Sequence, residues 1–217
     1  MSDHPLVTAA HSDDAGPGQA LHEAIGGPLG IAESSAPAVV FVIAYSVAGL
    51  EATNSAIIAA VVGAVFALAR IVRRETVQFA LAGIAGLALS AFVVSRTGNA
   101  EDFFLPGLLL NAGYAIAYFV SIIVRWPLIG LIVETATGAG TEWRDDPAKV
   151  SRYQRASWIW VALFSVRLAV QLPLYFAGLT FALGITKTAM GVPLFAIGIY
   201  LSWLLIRNPI SAAPARP

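Results

Sequence analysis

The sequence predicts an all-α, polytopic membrane helix bundle with about six transmembrane helices and one short re-entrant or interfacial segment. Of its 217 residues, 58% are hydrophobic and only 12% are charged, and the mean hydropathy is +0.75. A soluble globular domain usually carries about 25% charged residues, so lipid must be the solvent for much of this chain. The apolar residues also form segments close to the roughly 20 residues that a helix needs to cross a bilayer.

The apolar segments define one membrane domain, residues 19–207, between two tails. Residues 1–18 are rich in Asp, His, Gly and Pro and are predicted to form a disordered cytoplasmic tail. Residues 208–217 form a short C-terminal tail. Residues 1–35 contain no Lys or Arg, and a signal peptide needs a basic start. We therefore expect no signal peptide.

Six spans are predicted in order along the chain. They cover residues 36–50, 55–72, 77–94, 103–124, 156–175 and 188–206. A short interfacial helix over 19–25, stopped by Gly26, Gly27 and Pro28, is expected before the first span. Ser34 and Ser35 are expected to cap that span, with Pro37 in its first turn.

The later spans have boundary signals of their own. Glu101 and Asp102 are expected to cap the fourth span at its N-terminus. Asp145 and Asp146 are assigned to a solvated loop before the fifth span, and a break is expected near its end at Pro173. These signals place polar residues at the membrane surfaces.

One apolar stretch, residues 126–133, is too short to span and is followed by Glu134. It is predicted to be re-entrant or to lie along the interface beside the end of the fourth span. In a transporter this segment, with Trp126, Pro127 and Glu134, would form an inner gate.

Basic residues predict the orientation, because Lys and Arg accumulate in cytoplasmic loops. One side of the predicted topology holds Arg70, Arg73, Arg74, Arg125, Arg144, Lys149, Arg152, Arg155, Arg207 and Arg216, and the other holds only Arg96 and Lys187. The sequence therefore predicts a multi-pass membrane protein with both termini in the cytoplasm.

Spans two and three carry small residues at every fourth position, which lets helix backbones approach closely in a membrane. The stripes are Ser55, Ala59, Gly63 and Ala67, then Ala82, Gly86 and Ser90. This pair is predicted to be scaffold.

Spans four and five carry polar faces inside the membrane. Asn111, Tyr114 and Tyr118 recur at spacings of three and four on the fourth span, and Arg167 and Gln171 do so on the fifth. An arginine near the bilayer centre costs at least about 2.5–3.5 kcal/mol and should face protein or water. These five residues are the candidate ligand site or pathway.

Three interpretations of Arg167 stay open at this point. It can be purely structural, it can bind a transported ion or anionic ligand, or it can contact another membrane protein. No Asp or Glu lies deep in a span to pair with Arg167, unless Glu134 folds back toward it. That absence weakens a proton-relay mechanism and favours an anion, a lipid head group or a site lined by backbone carbonyls.

Enzyme chemistry finds no support in the sequence. The chain has no Cys, and none of its three His residues follows His22, so there is no cluster with metal-ligand spacing and no serine–histidine pair within the spans. There is no phosphate-binding glycine loop either. We expect no enzyme activity, no metal or other cofactor and, at zero net charge, no nucleic acid.

Four stretches resemble an actinobacterial membrane family known as domain of unknown function 3159. They are ESSAPAVVFVIAYSVAG (33–49), RTGNAEDFFLPGLLLNAGYAIAYFVSIIVRWPLIGLIV (96–133), YQRASWIWVALFSVRLAVQLPLY (153–175) and GVPLFAIGIYLSWLLIR (191–207). The resemblance implies a plasma-membrane protein, and it supplies no activity or site residues.

Two functions are therefore predicted as alternatives. The first is a small transporter or channel-like protein for an ion or small anionic solute, with its site around Arg167. The second is a non-transporting scaffold for a cell-envelope or division complex, which would recruit partners through residues 138–155. The expected partners are the lipid bilayer and either further copies of this chain or other membrane proteins.

Overall fold

A computed structural model describes residues 27–73, 77–138 and 140–207. The predicted tails, the interfacial helix over 19–25 and Arg74 lie outside these residues. The described residues form α1 (Gly27–Val42, continued by a π-helical turn, Ile43–Val47), α2 (Ala52–Val72), α3 (Val77–Thr97), α4 (Leu105–Ile123), α5 (Leu128–Thr137), α6 (Pro147–Phe176), α7 (Thr180–Ala189) and α8 (Val192–Arg207). Short 3-10 turns, Ala100–Phe104 and Glu142–Asp145, precede α4 and α6. The described residues contain no strand, which confirms the all-α prediction.

Four helical segments are long and apolar enough to cross a membrane. They are Ala52–Val72, Ala100–Ile123, Pro147–Phe176 and Thr180–Arg207. Three shorter apolar helices cover Ser35–Val47, Leu81–Thr97 and Leu128–Thr137. The first two of these correspond to predicted spans one and three, and the third is the predicted re-entrant or interfacial segment. The count of six spans stays a prediction.

The predicted start of the first span was wrong. The helix already begins at Gly27, so Gly27 and Pro28 form its first turn instead of stopping an earlier helix. Ser34 and Ser35 therefore lie inside α1 and not at its N-terminus. Pro37 also lies inside the helix, where it is buried; it cannot donate to the carbonyl of Glu33. Neighbouring helices make such a proline tolerable in a membrane bundle.

The boundaries of the last two spans also differ from the prediction. α6 begins at Pro147 because the Asp146 side chain caps it, accepting hydrogen bonds from the backbone N–H groups of Ala148 and Lys149. Asp146 is thus a helix cap and not part of a solvated loop. The helix then continues through Pro173 to Phe176 without the expected break.

Two apolar clusters hold the bundle together. The first joins α1, α2, α7, the end of α3 and the 3-10 turn before α4, with Phe41, Phe103 and Leu183 fully enclosed. The second joins α4, α5, α6 and α8 around Tyr118 and Trp160. The indole N–H of Trp160 donates to Ser202, 3.0 Å away, which ties α6 to α8.

The small-residue stripe of α2 is buried, whereas that of α3 is buried only at Ser90. Ser55, Ala59, Gly63 and Ala67 are all buried. On α3, Ala82 and Gly86 are exposed and line a cavity, and the Leu87 side chain packs against Gly63 instead. Close approach thus depends on α2, because a large residue of α3 fits over a glycine of α2.

The charged residues at the helix ends distinguish the two ends of the bundle. The end with Arg70, Arg73 and Arg125 is called the basic end, and the end with Glu51, Glu101 and Asp102 the acidic end. At the basic end, Arg70 and Arg73 of α2 both donate to the buried Glu33 carboxylate of α1. This ion pair fixes α1 against α2.

Candidate functional site

Two aromatic pairs set the register of α4 against α6. Tyr118 stacks on Trp160 with ring centroids 5.9 Å apart, and Tyr114 stacks on Phe164 at 5.3 Å. The two helices are antiparallel, so one turn further toward the acidic end Asn111 is level with Arg167. One more turn brings Gly107 level with Gln171. The register therefore puts the predicted polar positions of α4 and α6 at matching levels along the two helices.

Lys187 of α7 reaches this same level. Its Nζ lies 5.1 Å from the ring centroid of Phe104 and 5.9 Å from that of Phe103. It also lies 3.6 Å from the place where a side chain on Gly107 would begin, so the ammonium is next to the first turn of α4. By the register set by the aromatic pairs, Gly107 is level with Gln171, which is one turn from Arg167 on α6. Two cations from different helices thus lie together inside the bundle.

Neither cation has a carboxylate partner among the described residues. The guanidinium Nε of Arg167 is buried and makes no hydrogen bond there. Gln171 is only 3% exposed, and its amide Nε2 is also buried and makes no hydrogen bond within the described residues. Buried polar groups in proteins are almost always satisfied, and buried charges are paired. This cluster of Arg167, Lys187 and Gln171 is therefore short of an acceptor and of negative charge.

The carboxylate of Asp102, at the acidic end, is bound by side chains other than Arg167 and Lys187. Asp102, which is buried in the 3-10 turn before α4, accepts a hydrogen bond from the Tyr175 hydroxyl and a longer one, 3.3 Å, from the Asn99 amide. It was expected to cap a helix end exposed to solvent, and that expectation was wrong because α6 covers it. The Asp102–Tyr175 contact lies one turn beyond Gln171, at the acidic end.

A cavity of about 540 Å³ opens beside Lys187. It lies between α1, α2, α3 and the first turns of α4, and small or apolar residues line most of it. Its charged lining residues are Lys187, Glu33 and Arg70. Ligand pockets commonly measure about 300–1,000 Å³, so the volume suits a small ligand.

The last apolar segment is a broken helix. α7 ends at Ala189 and α8 begins at Val192, inside the apolar stretch Thr180–Arg207. At Gly191 a side chain would begin only 3.1–3.2 Å from the backbone carbonyl oxygens of Thr188 and Lys187. Transporters commonly form substrate sites beside such discontinuous helices. The break is one turn from Lys187.

A family model described as "Protein of unknown function (DUF3159)" matches residues 25–213. The chain belongs to the DUF3159 family. No curated protein and no solved structure matches it. The match confirms the resemblance seen in the sequence, and what the DUF3159 chain does must be argued from its own geometry.

The structure separates the remaining predicted site residues of the DUF3159 chain. Tyr118 is buried in the aromatic cluster with Trp160 and Phe164, and Tyr114 is about half exposed beside Phe164. Asn111 is half-buried at the level of Arg167. The tyrosine rings thus pack between α4 and α6, where the sequence predicted a polar lining.

The three residues of the predicted gate lie together at the basic end, away from the cations. Pro127 is buried and precedes α5, and Trp126 lies under the Arg144 guanidinium at 4.0 Å. Glu134 accepts a hydrogen bond from the Tyr153 hydroxyl and lies 3.8 Å from the Lys149 ammonium. Glu134 therefore does not fold back to pair with Arg167, because closer donors bind it.

Sequence reasoning missed Lys187 and Asp102 as members of this region, whereas the helical spacing had placed Tyr175 on the same face of the fifth span as Arg167 and Gln171. Lys187 was assigned to the outer side of the predicted topology as a loop residue, since the last span was expected to start at Thr188. The sequence signal that could have placed Lys187 inside a helix is the apolar run directly after Gly178, which indicates that the helix starts before Thr188. In the structure Gly178 has a positive φ of 67°. The described residues contain no group of three His, Cys, Asp or Glu that could hold a metal.

Tyr175→Phe is expected to destabilise the DUF3159 chain. It removes the hydroxyl that donates to a buried carboxylate, and a hydrogen bond to a charged group contributes about 1.5–3 kcal/mol. Thermal unfolding of the purified protein in detergent should show a lower midpoint. Tyr114→Phe is the control, because its half-exposed hydroxyl makes no hydrogen bond within the described residues. Equal midpoints for both variants would contradict the assigned contact.

Proposed function

We propose that this DUF3159 protein is a small transporter or channel-like protein for a small anionic solute. The observation that carries the proposal is the pair of inward cations, Arg167 and Lys187, without a carboxylate partner in the described part of the chain. A charge in the membrane interior is costly and marks ion or substrate pathways in many proteins. An anion between the two side chains would offset both charges.

The ligand chemistry follows from the donors. Arg167 offers a planar fork of N–H groups, Lys187 a point charge, and Gln171 a neutral amide donor. A carboxylate or another small oxyanion can accept from all three. Asn111, level with Arg167, can contribute a fourth donor. Phe103 and Phe104 form an apolar wall over Lys187, and such a wall strengthens electrostatic attraction by excluding water.

The cavity beside Lys187 supports a route as well as a site. It extends from Lys187 to Arg70 and Glu33, which belong to the basic end. The Asp102–Tyr175 contact lies on the other side of the cation cluster. We propose that the ligand site communicates with the basic end through the cavity, and that the Asp102–Tyr175 contact must open for passage to the acidic end.

The rival proposal is a non-transporting scaffold at a membrane complex. In that proposal residues 138–155 are a long basic loop that recruits partners. Residues 142–145 of this segment form a 3-10 turn, however, and residues 147–155 belong to α6. Trp143 is only 2% exposed, and its ring packs against Gly130 and edge-on to Tyr153. No observation specifically favours recruitment at this surface, so the scaffold stands as an outcome of the test below.

The test is flux across proteoliposomes that contain the purified protein. We expect at least one ion of a panel of chloride, nitrate, acetate and phosphate to cross, and K⁺ and Na⁺ to be excluded. Arg167→Gln and Lys187→Gln should each lower that flux about tenfold or more, because a lost charge-assisted contact costs about 1.5–3 kcal/mol and about 1.4 kcal/mol is tenfold.

The matched control is Arg155→Gln, which removes an exposed arginine from the other end of the same helix. Its flux should equal that of the parent. Thermal melting of every variant shows that the helices are assembled. Absence of flux for the whole panel, or equal flux in Arg167→Gln and the parent, would refute the transporter and leave the scaffold.

A further inference from the structure

A second, smaller cavity lies at the basic end. It measures about 380 Å³ and is lined by Arg125, Arg144, Pro147, Val150, Ser151 and Gln154. Gln154 and Arg167 are both on α6, and at 1.5 Å per residue the two sites are about 20 Å apart. The basic-end cavity is therefore separate from the cation cluster described above.

The backbone holds Arg125 in an unfavourable conformation. Arg125 has a φ of 55°, the only positive φ of a non-glycine residue within the described ranges. Left-handed backbone costs a residue with a side chain about 1–2 kcal/mol. The N–H of Trp126 donates to the Ser121 carbonyl at 2.8 Å, and the N–H of Leu128 donates to the Ser121 hydroxyl at 3.3 Å. These contacts hold the turn and direct Arg125 to the cavity.

The second arginine is held by stacking. The Arg144 guanidinium lies over the Trp126 ring with its carbon 4.0 Å from the ring centroid. Cation–π stacking fixes the plane of the group and leaves its N–H edge free to donate. Arg144 and Arg125 thus reach the cavity from two different turns.

The acidic side chains nearby leave both arginines without an ion pair among the described residues. Asp146 caps α6, and Glu134 is bound by Tyr153 and Lys149. Glu142 and Asp145 are exposed and pair with neither arginine. The Gln154 amide donates to the Ile122 carbonyl at 3.2 Å, which fixes the wall of the cavity next to α4. The cavity therefore presents two guanidinium groups to one space.

We propose that this cavity binds a phosphate group between Arg125 and Arg144. Two guanidinium forks can each donate in a bidentate manner to the oxygens of one phosphate. Ser151 can add a hydroxyl donor. Ile123 and Val124, the last residues before Arg125, are exposed and apolar, so a phospholipid could lay its chains along α4 while its phosphate enters the cavity. A phosphate compound free in solution would use the same donors.

The test uses the purified full chain and two probes. Native mass spectrometry counts phosphatidylglycerol and phosphatidylcholine retained from mixed micelles, and calorimetry in a zwitterionic detergent measures inorganic phosphate. Arg144→Gln and Arg125→Gly are the variants. Glycine relieves the left-handed backbone while removing the side chain, so Arg125→Gly should fold even if other changes at this turn do not.

We expect the parent to retain phosphatidylglycerol or to bind inorganic phosphate, and each variant to weaken that binding about tenfold or more, for a charge-assisted contact of about 1.5–3 kcal/mol. Retention of the lipid alone assigns the phosphate to a phospholipid, and binding of inorganic phosphate assigns it to a soluble compound. Arg207→Gln is the control, because Arg207 stacks on Trp203 in the same way, at 4.6 Å, outside the cavity. Binding of neither probe, or equal binding by the parent and both variants, would overturn the proposal. The outcome is independent of anion flux.

Discussion

Arg167→Met is expected to raise the thermal midpoint of the purified protein while removing its transport. The guanidinium is half-buried, has an unpaired Nε and lies near a second cation. Removing it relieves both desolvation and repulsion, and methionine matches arginine in helix propensity and in the length of its apolar stem. An arginine at the centre of a span costs at least about 2.5–3.5 kcal/mol, which sets the scale of the expected gain.

The direction in which the thermal midpoint moves in Arg167→Met distinguishes an uncompensated charge from a guanidinium that holds the helices together. A guanidinium that holds helices together through hydrogen bonds would leave partners unsatisfied when lost, and the midpoint would fall. Lys187→Met should also raise the midpoint, and the double variant should gain less than the sum because each change removes the same repulsion. Arg155→Met controls for the loss of an exposed arginine. A thermal midpoint of Arg167→Met below that of the parent would contradict the claim that the Arg167 charge is uncompensated.

Gly184→Ala is expected to lower the thermal midpoint strongly. A side chain at Gly184 would begin 2.2 Å from the Cγ2 of Val42, a buried residue on α1. Valine has one rotatable side-chain bond and cannot move its methyl away without shifting its helix. Overpacking of this kind costs about 1–3 kcal/mol. Because α7 carries Lys187, the displaced helix should also lower anion flux.

Gly113→Ala is the matched control. Gly113 lies inside α4, and no atom lies within 4 Å of the place where its side chain would begin. The same substitution there should be neutral or should raise stability by about 0.5–1 kcal/mol, the usual advantage of alanine over glycine within a helix. A lower midpoint for Gly113→Ala than for Gly184→Ala would show that α1 and α7 do not pack as described.

Arg167 and Lys187 connect stability with function. A protein selected for stability alone would not retain two uncompensated cations inside its bundle, because apolar replacements of similar size are available at little cost in packing. Functional sites are where local rules are broken. This is the physical basis for placing the ligand between α6 and α7.

The position of most helices could be predicted because hydropathy is a local property. Residues 55–72 and 126–133 lie within or largely within α2 and α5, and Arg167 and Gln171 share a face because their spacing is one helical turn. The errors fell at ends set by polar residues. The side chain of Asp146 caps α6, so the helix begins well before the apolar residues from which the span was predicted.

The partners of the charged side chains could not be predicted in the same way. Asp102 and Tyr175 are 73 residues apart in the chain, and Arg73 and Glu33 are 40 apart. No periodicity relates such positions. The candidate site had the same limit: the sequence identified Arg167, while Lys187 entered it only through the packing of α7 against α1 and the first turn of α4.

By itself, the sequence determined that this is an all-α protein with membrane-spanning helices, where most of those helices run, and to which family it belongs. In lipid, every backbone N–H and C=O group must form its hydrogen bond within its own helix. Each span is therefore determined by its own stretch of sequence. Tertiary structure alone decided which charges are paired, where the cavities lie and that the last apolar segment is broken. Those features depend on contacts between helices distant in the chain, and contacts in a bilayer are selected by shape and hydrogen bonding, not by hydrophobicity.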